Sequence, residues 1–277
     1  WTRPDRAADF VSLRSLGGRA LEVIESDTGR VVGTVDEAAA DKTLHEGAVY
    51  LHQGEQYLVT AYEPEDRVAM VEARRSGYYT QPLSSLEVSI VGVRDERGIG
   101  AGRLYRGEVR LTSRVQGYLR RDEVTGEVWD QTPLEMPSRT FTTQATWWTI
   151  PDEAVTRAGV PGVRVGAGAH AMEHCAIGLL PAFAPCDRWD IGGVSLATHP
   201  DTGMATVFVH DGMPGGAGLA WRGYDVADAW LAATLERLTT CTCESGCPAC
   251  VVSPKCGNAN QFLDRFTARD LLAALLG

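Results

Sequence analysis

Lysine is nearly absent from this sequence, and so are the long apolar runs that cross a lipid bilayer. Lys42 and Lys255 are the only lysines among 26 basic residues, so arginine carries almost all of the positive charge. No uninterrupted apolar run approaches the roughly 18 residues that a transmembrane helix needs. The 277 residues, 44% of them hydrophobic, are enough to bury one large core or two smaller ones. We therefore expect a globular chain without a membrane-spanning helix.

A secretory signal peptide is also missing from the sequence. The seven cysteines are an odd number, which does not suit a framework of paired disulfides. Both observations favour a reducing compartment, and we expect a cytoplasmic location. Because the chain starts at Trp1 rather than at methionine, we also expect it to be a segment of a longer polypeptide.

Four cysteines stand close together near the end of the chain, in the sequence CESGCPACVVSPKC. A structural zinc site needs four sulfurs about 2.3 Å from one ion, and spacings of two to four residues let a tight turn aim two sulfurs inward. Cys243, Cys247 and Cys250 fit these spacings. Cys256 follows Pro254-Lys255, where a turn returns the chain to the ion. The pattern predicts structural Zn²⁺ with the ligands Cys243, Cys247, Cys250 and Cys256.

This assignment leaves alternatives open. Cys241 lies two residues before Cys243 and is able to replace or flank it as the first ligand. The same cysteines also suit an iron–sulfur cluster and, less well, disulfides or free thiols. If zinc is bound, four thiolates leave no open position for substrate or water, so the site is structural rather than catalytic.

The formal net charge of −10 argues against a uniformly basic surface, but residues 94–121 depart from this average. In this arginine segment eight arginines stand against three acidic residues. Arginine pairs with phosphate and tyrosine stacks on bases, so single-stranded DNA is a candidate partner, although a solvated hairpin face is the favoured interpretation. The candidate nucleic-acid-binding residues are Arg94, Arg97, Arg103, Tyr105, Arg106, Arg110, Arg114, Tyr118, Arg120 and Arg121.

Short alternating runs separated by turn formers fill the first 150 residues. They predict strands at 10–13, 21–24, 31–35, 48–51, 57–60, 68–71, 86–93, 107–112, 117–121 and 140–150, with a helix at 36–44. Beyond Pro151 we predict a short helix that opens at 151–153, a long buried helix at 167–183, a strand at 205–210, a helix that ends at 238 and a terminal helix at 267–275. Thr267 is the expected N-cap of the last, with Asp270 completing a capping box.

These patterns together predict an α+β fold. A β-rich barrel-like region at 1–150 is followed by an α/β region at 151–277, and a four-cysteine zinc knot lies in the segment 241–260.

Two further motifs have structural explanations that we favour. His170, Glu173 and His174 match the H-x-x-E-H pattern of one zinc peptidase class, but their apolar neighbours favour a buried, hydrogen-bonded histidine pair. The glycine-rich turn after His210 lacks the lysine and the Ser/Thr of a P-loop, so a structural turn is favoured over phosphate binding.

Four motifs in one order carry a family resemblance: HAMEHCAIGLLP, CDRWDIGGVS, HDGMPGGAG and CESGCPACVVSPKCGNANQFLD. Over most of residues 165–265 the chain resembles the C-terminal zinc-binding domain of DEAD/DEAH-box superfamily 2 DNA helicases of the mitomycin-repair type. More loosely, HEGAVYLHQGEQYLV resembles the β-rich segment that precedes that domain. The family's metal cysteines correspond to Cys243, Cys247, Cys250 and Cys256, with Cys241 as an addition.

The resemblance implies an accessory domain of a parent helicase. That parent would hydrolyse ATP with Mg²⁺ in two RecA-like motor domains and move 3′ to 5′ on DNA during repair. No Walker A lysine motif and no DEAD or DEAH string occurs in this sequence, so we expect no catalysis from it alone. The implied role is to guide single-stranded DNA or to dock a partner such as a nuclease. The alternatives are a protein-docking scaffold without DNA contact and an H-x-x-E-H metallopeptidase.

Overall fold

The structure is a computed structural model that describes residues 20–277. Its strands are β1 (Leu21–Glu25), β2 (Val31–Val35), β3 (Val49–His52), β4 (Glu55–Glu63), β5 (Val68–Ala73), β6 (Tyr78–Ile99), β7 (Gly102–Asp122), β8 (Val128–Pro133), β9 (Arg139–Ile150), β10 (Ile191–Leu196) and β11 (Ala205–Asp211). Its helices are α1 (Glu37–Thr43), α2 (Asp152–Arg157), α3 (Gly162–Leu179), α4 (Leu219–Asp225), α5 (Ala227–Thr240) and α6 (Arg265–Leu276). The strand predicted at 10–13 lies outside the described residues.

The predicted α+β class is confirmed, with a curled β-rich half and a four-cysteine cluster in the C-terminal region. The strands predicted at 107–112 and 117–121 are one continuous strand, β7. The helix predicted to end at 238 is divided into α4 and α5. None of the helices in residues 20–277 has the length and apolar character needed to cross a membrane.

The chain is divided into two compact units, of which the first comprises the residues up to Ser85 together with Arg114–Ser138. Its five-stranded sheet has the order β2-β1-β5-β4-β3, and β1 runs parallel to β5. Ala40 of α1 and Leu44, the residue that follows the helix, belong to a core that also contains Val23 and Val59. Register irregularities in β1 and β4 add local twist, which is consistent with a curled sheet.

The second unit comprises Leu86–Ser113 and Arg139–Gly277. Strands β10, β11, β9, β7 and β6 follow one another in its sheet, and every residue of β11 is buried. Because neighbouring side chains of a strand point to opposite faces, Trp147 and Trp148 of β9 enter different cores. Trp148 packs with the helices α3, α5 and α6, and Trp230 of α5 donates from Nε1 to the Ala176 carbonyl at 2.8 Å.

Both units are built from separated stretches of sequence, so their bounds differ from the predicted regions 1–150 and 151–277. β9 precedes residue 150 but pairs with β11 in the second unit. The division of the chain into domains at residue 150 stays a prediction.

The start of α6 corrects the predicted cap. Asp264, not Thr267, is the N-cap residue, and its Oδ1 accepts a hydrogen bond from the Thr267 backbone N–H at 3.0 Å. Thr267 is thus the third helical residue, and the capping box predicted with Asp270 is wrong. An N-cap oxygen satisfies one of the free N–H groups in the first turn, and an aspartate serves as well as a threonine.

Candidate metal centre

Four sulfur atoms meet where α5 ends. Cys241, Cys243, Cys247 and Cys250 form this four-sulfur group, in which all Sγ atoms lie within 4.8 Å of one another. The contacts measure 3.5 Å (Cys241–Cys243), 3.6 Å (Cys241–Cys247), 3.6 Å (Cys243–Cys250) and 3.7 Å (Cys247–Cys250). Sulfurs at tetrahedral angles about 2.3 Å from one ion are separated by about 3.8 Å. The group therefore fits one tetrahedral zinc ion.

Local backbone structure sets these separations. The N–H groups of Cys250 and Val251 donate to the Cys247 carbonyl at 3.0 and 3.1 Å, which closes a tight turn. The Cys247 N–H also points at Cys250 Sγ, 3.2 Å away. Such N–H contacts stabilise a thiolate, because they bring positive partial charge to the sulfur.

Arg265 is a supporting residue that the sequence analysis did not identify. It lies in the first turn of α6, and the residue is only 4% exposed. Nη1 donates to the Leu238 carbonyl at 2.7 Å and Nη2 to the Cys243 carbonyl at 2.9 Å. Arg265 thereby fastens α6 to the end of α5 and to the four-sulfur group. No sequence signal marks this role, since the carbonyls it binds belong to the backbone.

The thiols of the four-sulfur group differ in acidity. Hydrogen bonds from the backbone and thiol of Cys243 lower the pKa of Cys241 to about 7, whereas burial raises the pKa of Cys250 to about 12. Metal binding requires thiolates. Cys241 therefore forms the thiolate that metal binding requires more readily than Cys250 does.

Cys256, the fourth ligand predicted from the sequence, lies apart from the four-sulfur group. Its Sγ is 3.6 Å from His170 Nε2 and 2.7 Å from Asn258 Oδ1. The structure brings together three of the predicted ligands, Cys243, Cys247 and Cys250, and adds Cys241. The sequence analysis favoured Cys243 over Cys241 as the first ligand. Only one residue separates the two cysteines, whereas the usual pair of zinc ligands is separated by two to four.

The H-x-x-E-H residues of α3 form no peptidase site. The buried Glu173 accepts a hydrogen bond from Ser195 Oγ at 2.6 Å, and burial raises the pKa of Glu173 to about 7. The His170 and His174 rings lie 4.4 Å apart, and His174 Nδ1–H donates to the Val251 carbonyl at 2.7 Å. This is the packed, hydrogen-bonded histidine pair that the sequence favours.

The glycine-rich turn after His210 binds a carboxylate of the chain itself. Asp211 is fully buried and accepts backbone N–H groups from Ala217 at 2.5 Å, Gly218 at 2.8 Å and Ala220 at 2.7 Å. Gly218 has a φ of +82°, a conformation that glycine adopts without strain. The N–H groups that would bind a phosphate are occupied, so the structural turn is confirmed.

The arginine segment is divided between the two compact units. Arg94, Arg97, Arg103, Tyr105, Arg106 and Arg110 belong to the second unit, and Arg114, Tyr118, Arg120 and Arg121 to the first. The candidate residues of each unit have their own set of partners.

In the second unit most of these arginines already have acidic or aromatic partners. Arg97 pairs with Asp228 at 2.7 Å, Arg103 with Glu96 at 2.6 Å, and Arg106 with Asp95 at 2.7 Å and with Asp225 at 3.0 Å. Arg94 stacks over Trp221, 4.5 Å from the ring centroid, and Tyr105 stacks on Trp147. Arg110 is exposed and forms no ion pair with residues 20–277. Its guanidinium is therefore not neutralised by a carboxylate of the described residues.

In the first unit the candidate residues are largely committed to internal contacts. Tyr118 is buried and stacks on His45, with ring centroids 4.6 Å apart, so its ring is not available to a base. Arg120 pairs with Asp130, Arg121 donates to Gln81 at 2.6 Å and Arg114 donates to the Met136 carbonyl at 2.8 Å.

The fold and the four-sulfur group together are those of a zinc-binding domain. The family model described as the MrfA Zn-binding domain matches residues 172–251 of this chain. A protein of Methanocaldococcus jannaschii, MJ1572.1, is 41% identical over 110 residues, which cover 39% of this chain and 98% of that protein. The chain belongs to this family of helicase-associated zinc-binding domains.

Longer relatives match nearly the whole chain. The ATP-dependent helicase YprA of Bacillus subtilis is 27% identical over 256 residues, which cover 91% of this chain and 34% of that protein. HRQ1 of Saccharomyces cerevisiae, also an ATP-dependent helicase, is 24% identical over 96% of this chain and 26% of its own length. The crystal structure of the DUF1998 helicase MrfA bound to DNA has a TM-score of 0.62 at 23% identity, covering 99% of this chain and 36% of that one. The chain thus spans about a third of these helicases or less.

Proposed function

We propose that this domain is an accessory part of an ATP-dependent DNA helicase and that a structural zinc ion on Cys241, Cys243, Cys247 and Cys250 fixes its fold. The observation that carries the zinc assignment is the set of sulfur separations, 3.5 to 3.7 Å, which matches the spacing of four sulfurs around one tetrahedral ion. Zinc would tie the end of α5 to the turn at Cys247–Cys250, while Arg265 ties the same point to α6.

Substitution of Cys241 tests the ligand set. We expect Cys241→Ser to lose the zinc of the four-sulfur group and to unfold at a lower urea concentration, because a structural ion contributes folding energy. Elemental analysis and urea denaturation of the purified chain measure both effects.

Cys186→Ser is the matched control, since Cys186 does not belong to the four-sulfur group. Unchanged zinc in Cys241→Ser would contradict the ligand assignment, and iron with sulfide in the wild-type chain would contradict zinc.

The parent protein, in this proposal, carries two RecA-like motor domains that bind ATP and Mg²⁺ and move 3′ to 5′ along DNA. Support comes from the helicase relatives, of which this chain spans about a third. A role in DNA repair and a cytoplasmic location belong to the same proposal. A gene that encodes no motor domains beside this segment would contradict it.

We further propose that the domain contacts single-stranded DNA through Arg110. The support is its exposure without an ion pair in the described residues, together with the DNA bound to the related MrfA. Arg103 and Arg106 are weaker candidates, because phosphate would have to compete with Glu96, Asp95 and Asp225.

Reversing the charge at Arg110 tests this contact. We expect Arg110→Glu to weaken binding of an oligothymidylate and to reduce the slope of log affinity against log salt by about 0.7, the value for one phosphate contact on a single strand. Fluorescence anisotropy at several salt concentrations measures both. Arg75→Glu, at an exposed position outside the arginine segment, makes the same change of charge. Equal losses in both variants would contradict a specific contact.

A protein-docking scaffold is the second candidate function, and the ion pairs of the arginine segment favour it. With Arg97, Arg103 and Arg106 paired to carboxylates, the segment presents less free positive charge than its composition indicates. In this alternative the domain binds a protein partner, such as a nuclease, and makes no contact with DNA. Absence of DNA binding at low salt would support this alternative.

A further inference from the structure

A second group of potential metal-ligating side chains is separate from the four-sulfur group and shares no ligand with it. One nitrogen of His170, one nitrogen of His174 and Cys256 Sγ all lie within 4.8 Å of one another. We propose that this His₂Cys group is a second metal site, which binds Zn²⁺ through two imidazole nitrogens and one thiolate. Mixed nitrogen and sulfur ligands suit zinc, and the inference does not depend on DNA binding.

The two histidines are positioned as metal ligands usually are. They stand four residues apart on α3, which places them on one face of the helix. Nδ1–H of His174 donates to the Val251 carbonyl at 2.7 Å, and Nδ1–H of His170 to the Phe262 carbonyl at 3.4 Å. These bonds fix the tautomer that leaves the Nε2 lone pairs free, and ligating histidines typically donate their other N–H in this way.

Cys256 is held against α3 by a turn with its own hydrogen bonds. Ser253 N–H donates to Asn260 Oδ1, and Asn260 Nδ2 donates to the Ser253 carbonyl, both at 2.8 Å. This reciprocal pair closes the loop around Cys256 and brings its Sγ to 3.6 Å from His170 Nε2. An ion about 2.0 Å from nitrogen and about 2.3 Å from sulfur fits between two ligand atoms at that distance.

Three protein ligands leave one position of a tetrahedral site open. Asn258 Oδ1, 2.7 Å from Cys256 Sγ, is one candidate for this position, and water is the other. Glu173 is not arranged to activate such a water, since its carboxylate is buried and bonded to Ser195. The site therefore joins α3 to the segment that follows the four-sulfur group and has no peptidase chemistry.

Metal stoichiometry tests the second site. The whole chain, loaded with Zn²⁺ under reducing conditions and freed of excess metal by gel filtration, is expected to hold two zinc ions. We expect His170→Gln and Cys256→Ser each to hold one ion, while Cys186→Ser keeps both. His170 is only partly buried, so His170→Gln decides the question if Cys256→Ser fails to fold.

Two further readouts distinguish the two sites. With Co²⁺, absorbance should rise over two equivalents in the wild type and over one in His170→Gln. Zinc should protect Cys256 from iodoacetamide in the wild type but not in His170→Gln, as peptide mass spectrometry reports. One ion in the wild-type chain, or unprotected Cys256 at saturating zinc, would overturn the proposal. Either result would leave the four-sulfur group, and the function proposed from it, unaffected.

Discussion

At the scale of single residues, two buried charged side chains form their hydrogen bonds with backbone atoms of other segments. Asp211 collects three N–H groups of the turn at Ala217–Ala220, and Arg265 gives two hydrogen bonds to carbonyls. A buried charge is tolerated only when such partners compensate its lost hydration. These residues keep the second unit in one conformation and are not candidates for ligand binding.

His210 makes stability depend on pH. Its side chain is 5% exposed, burial lowers the pKa of His210 to about 4, and its Nε2 has no hydrogen-bond partner among the described residues. In the unfolded chain the imidazole takes up a proton below about pH 6.5, whereas in the folded chain it does so only near pH 4. The stabilisation is therefore present above pH 6.5 and is lost as the pH falls toward 4.

A His210→Gln variant isolates this effect. Between pH 6.5 and pH 4.5 we expect the unfolding free energy of the wild type to fall more than that of the variant, by up to about 1.4 kcal/mol per pH unit. Urea denaturation across this range measures the difference, and other titrating groups are common to both proteins. Parallel curves for the two proteins would refute the assignment.

At the scale of elements, α3 is the centre of the second unit, because it packs on α5, α6 and β10. Close contact with α6 depends on Gly168, where an added Cβ would lie 2.5 Å from Thr267 Cγ2 and 2.9 Å from Leu271 Cδ1. Gly178, on the same helix, is exposed and has nothing within 4 Å of such a Cβ.

This contrast gives a paired prediction for α3. We expect Gly168→Ala to destabilise the chain by about 1 to 3 kcal/mol, since overpacking shifts α6. Gly178→Ala should instead stabilise it by about 1 kcal/mol, the gain in helix propensity. Thermal and urea unfolding compare the stability of the two variants. If Gly168→Ala stabilised the chain, α6 would have shifted to accept the methyl group without loss of folding free energy, and the prediction would be wrong.

Sequence patterns located most elements because alternation and helical periodicity follow directly from burial on one face. The strands β8 and β10 escaped prediction for physical reasons. In β8 four of six residues are exposed, and β10 contains the pair Gly192-Gly193, which marks a turn when read alone. Glycine in β10 lets side chains of α3 pack directly against the strand backbone. A Cβ at Gly193 would clash with Ile177 and Glu173.

At the scale of the whole molecule, the candidate metal site was predictable in part. Local spacing identified Cys243, Cys247 and Cys250, of which the last two share one hydrogen-bonded turn. The prediction chose Cys256 over Cys241 as the remaining ligand, because spacing along the chain does not show that the histidines of α3 lie next to Cys256. The ion pairs of the arginine segment were equally hidden, since Asp225 and Asp228 are more than a hundred residues away in sequence.

Removal of zinc should affect the two compact units differently. The four-sulfur group and the His₂Cys group both belong to the second unit. We expect a chelator to increase hydrogen exchange in α5 and α6, while β1, β4 and β5 keep their protection, because stability is distributed locally. Hydrogen exchange followed by mass spectrometry measures this, and equal loss of protection in both units would contradict it.

The interrupted second unit has a consequence for the order in which the newly made chain folds. Leu86–Ser113 is synthesised before the rest of the second unit. The strand β9, with which this segment pairs, begins only at Arg139. The stretch between them, Arg114–Ser138, completes the first unit. Leu104 and Val109 are fully buried in the folded chain. During synthesis they therefore stay exposed to solvent until β9 has been made, while the first unit is completed. That interval is when a nascent chain of this design most needs a chaperone.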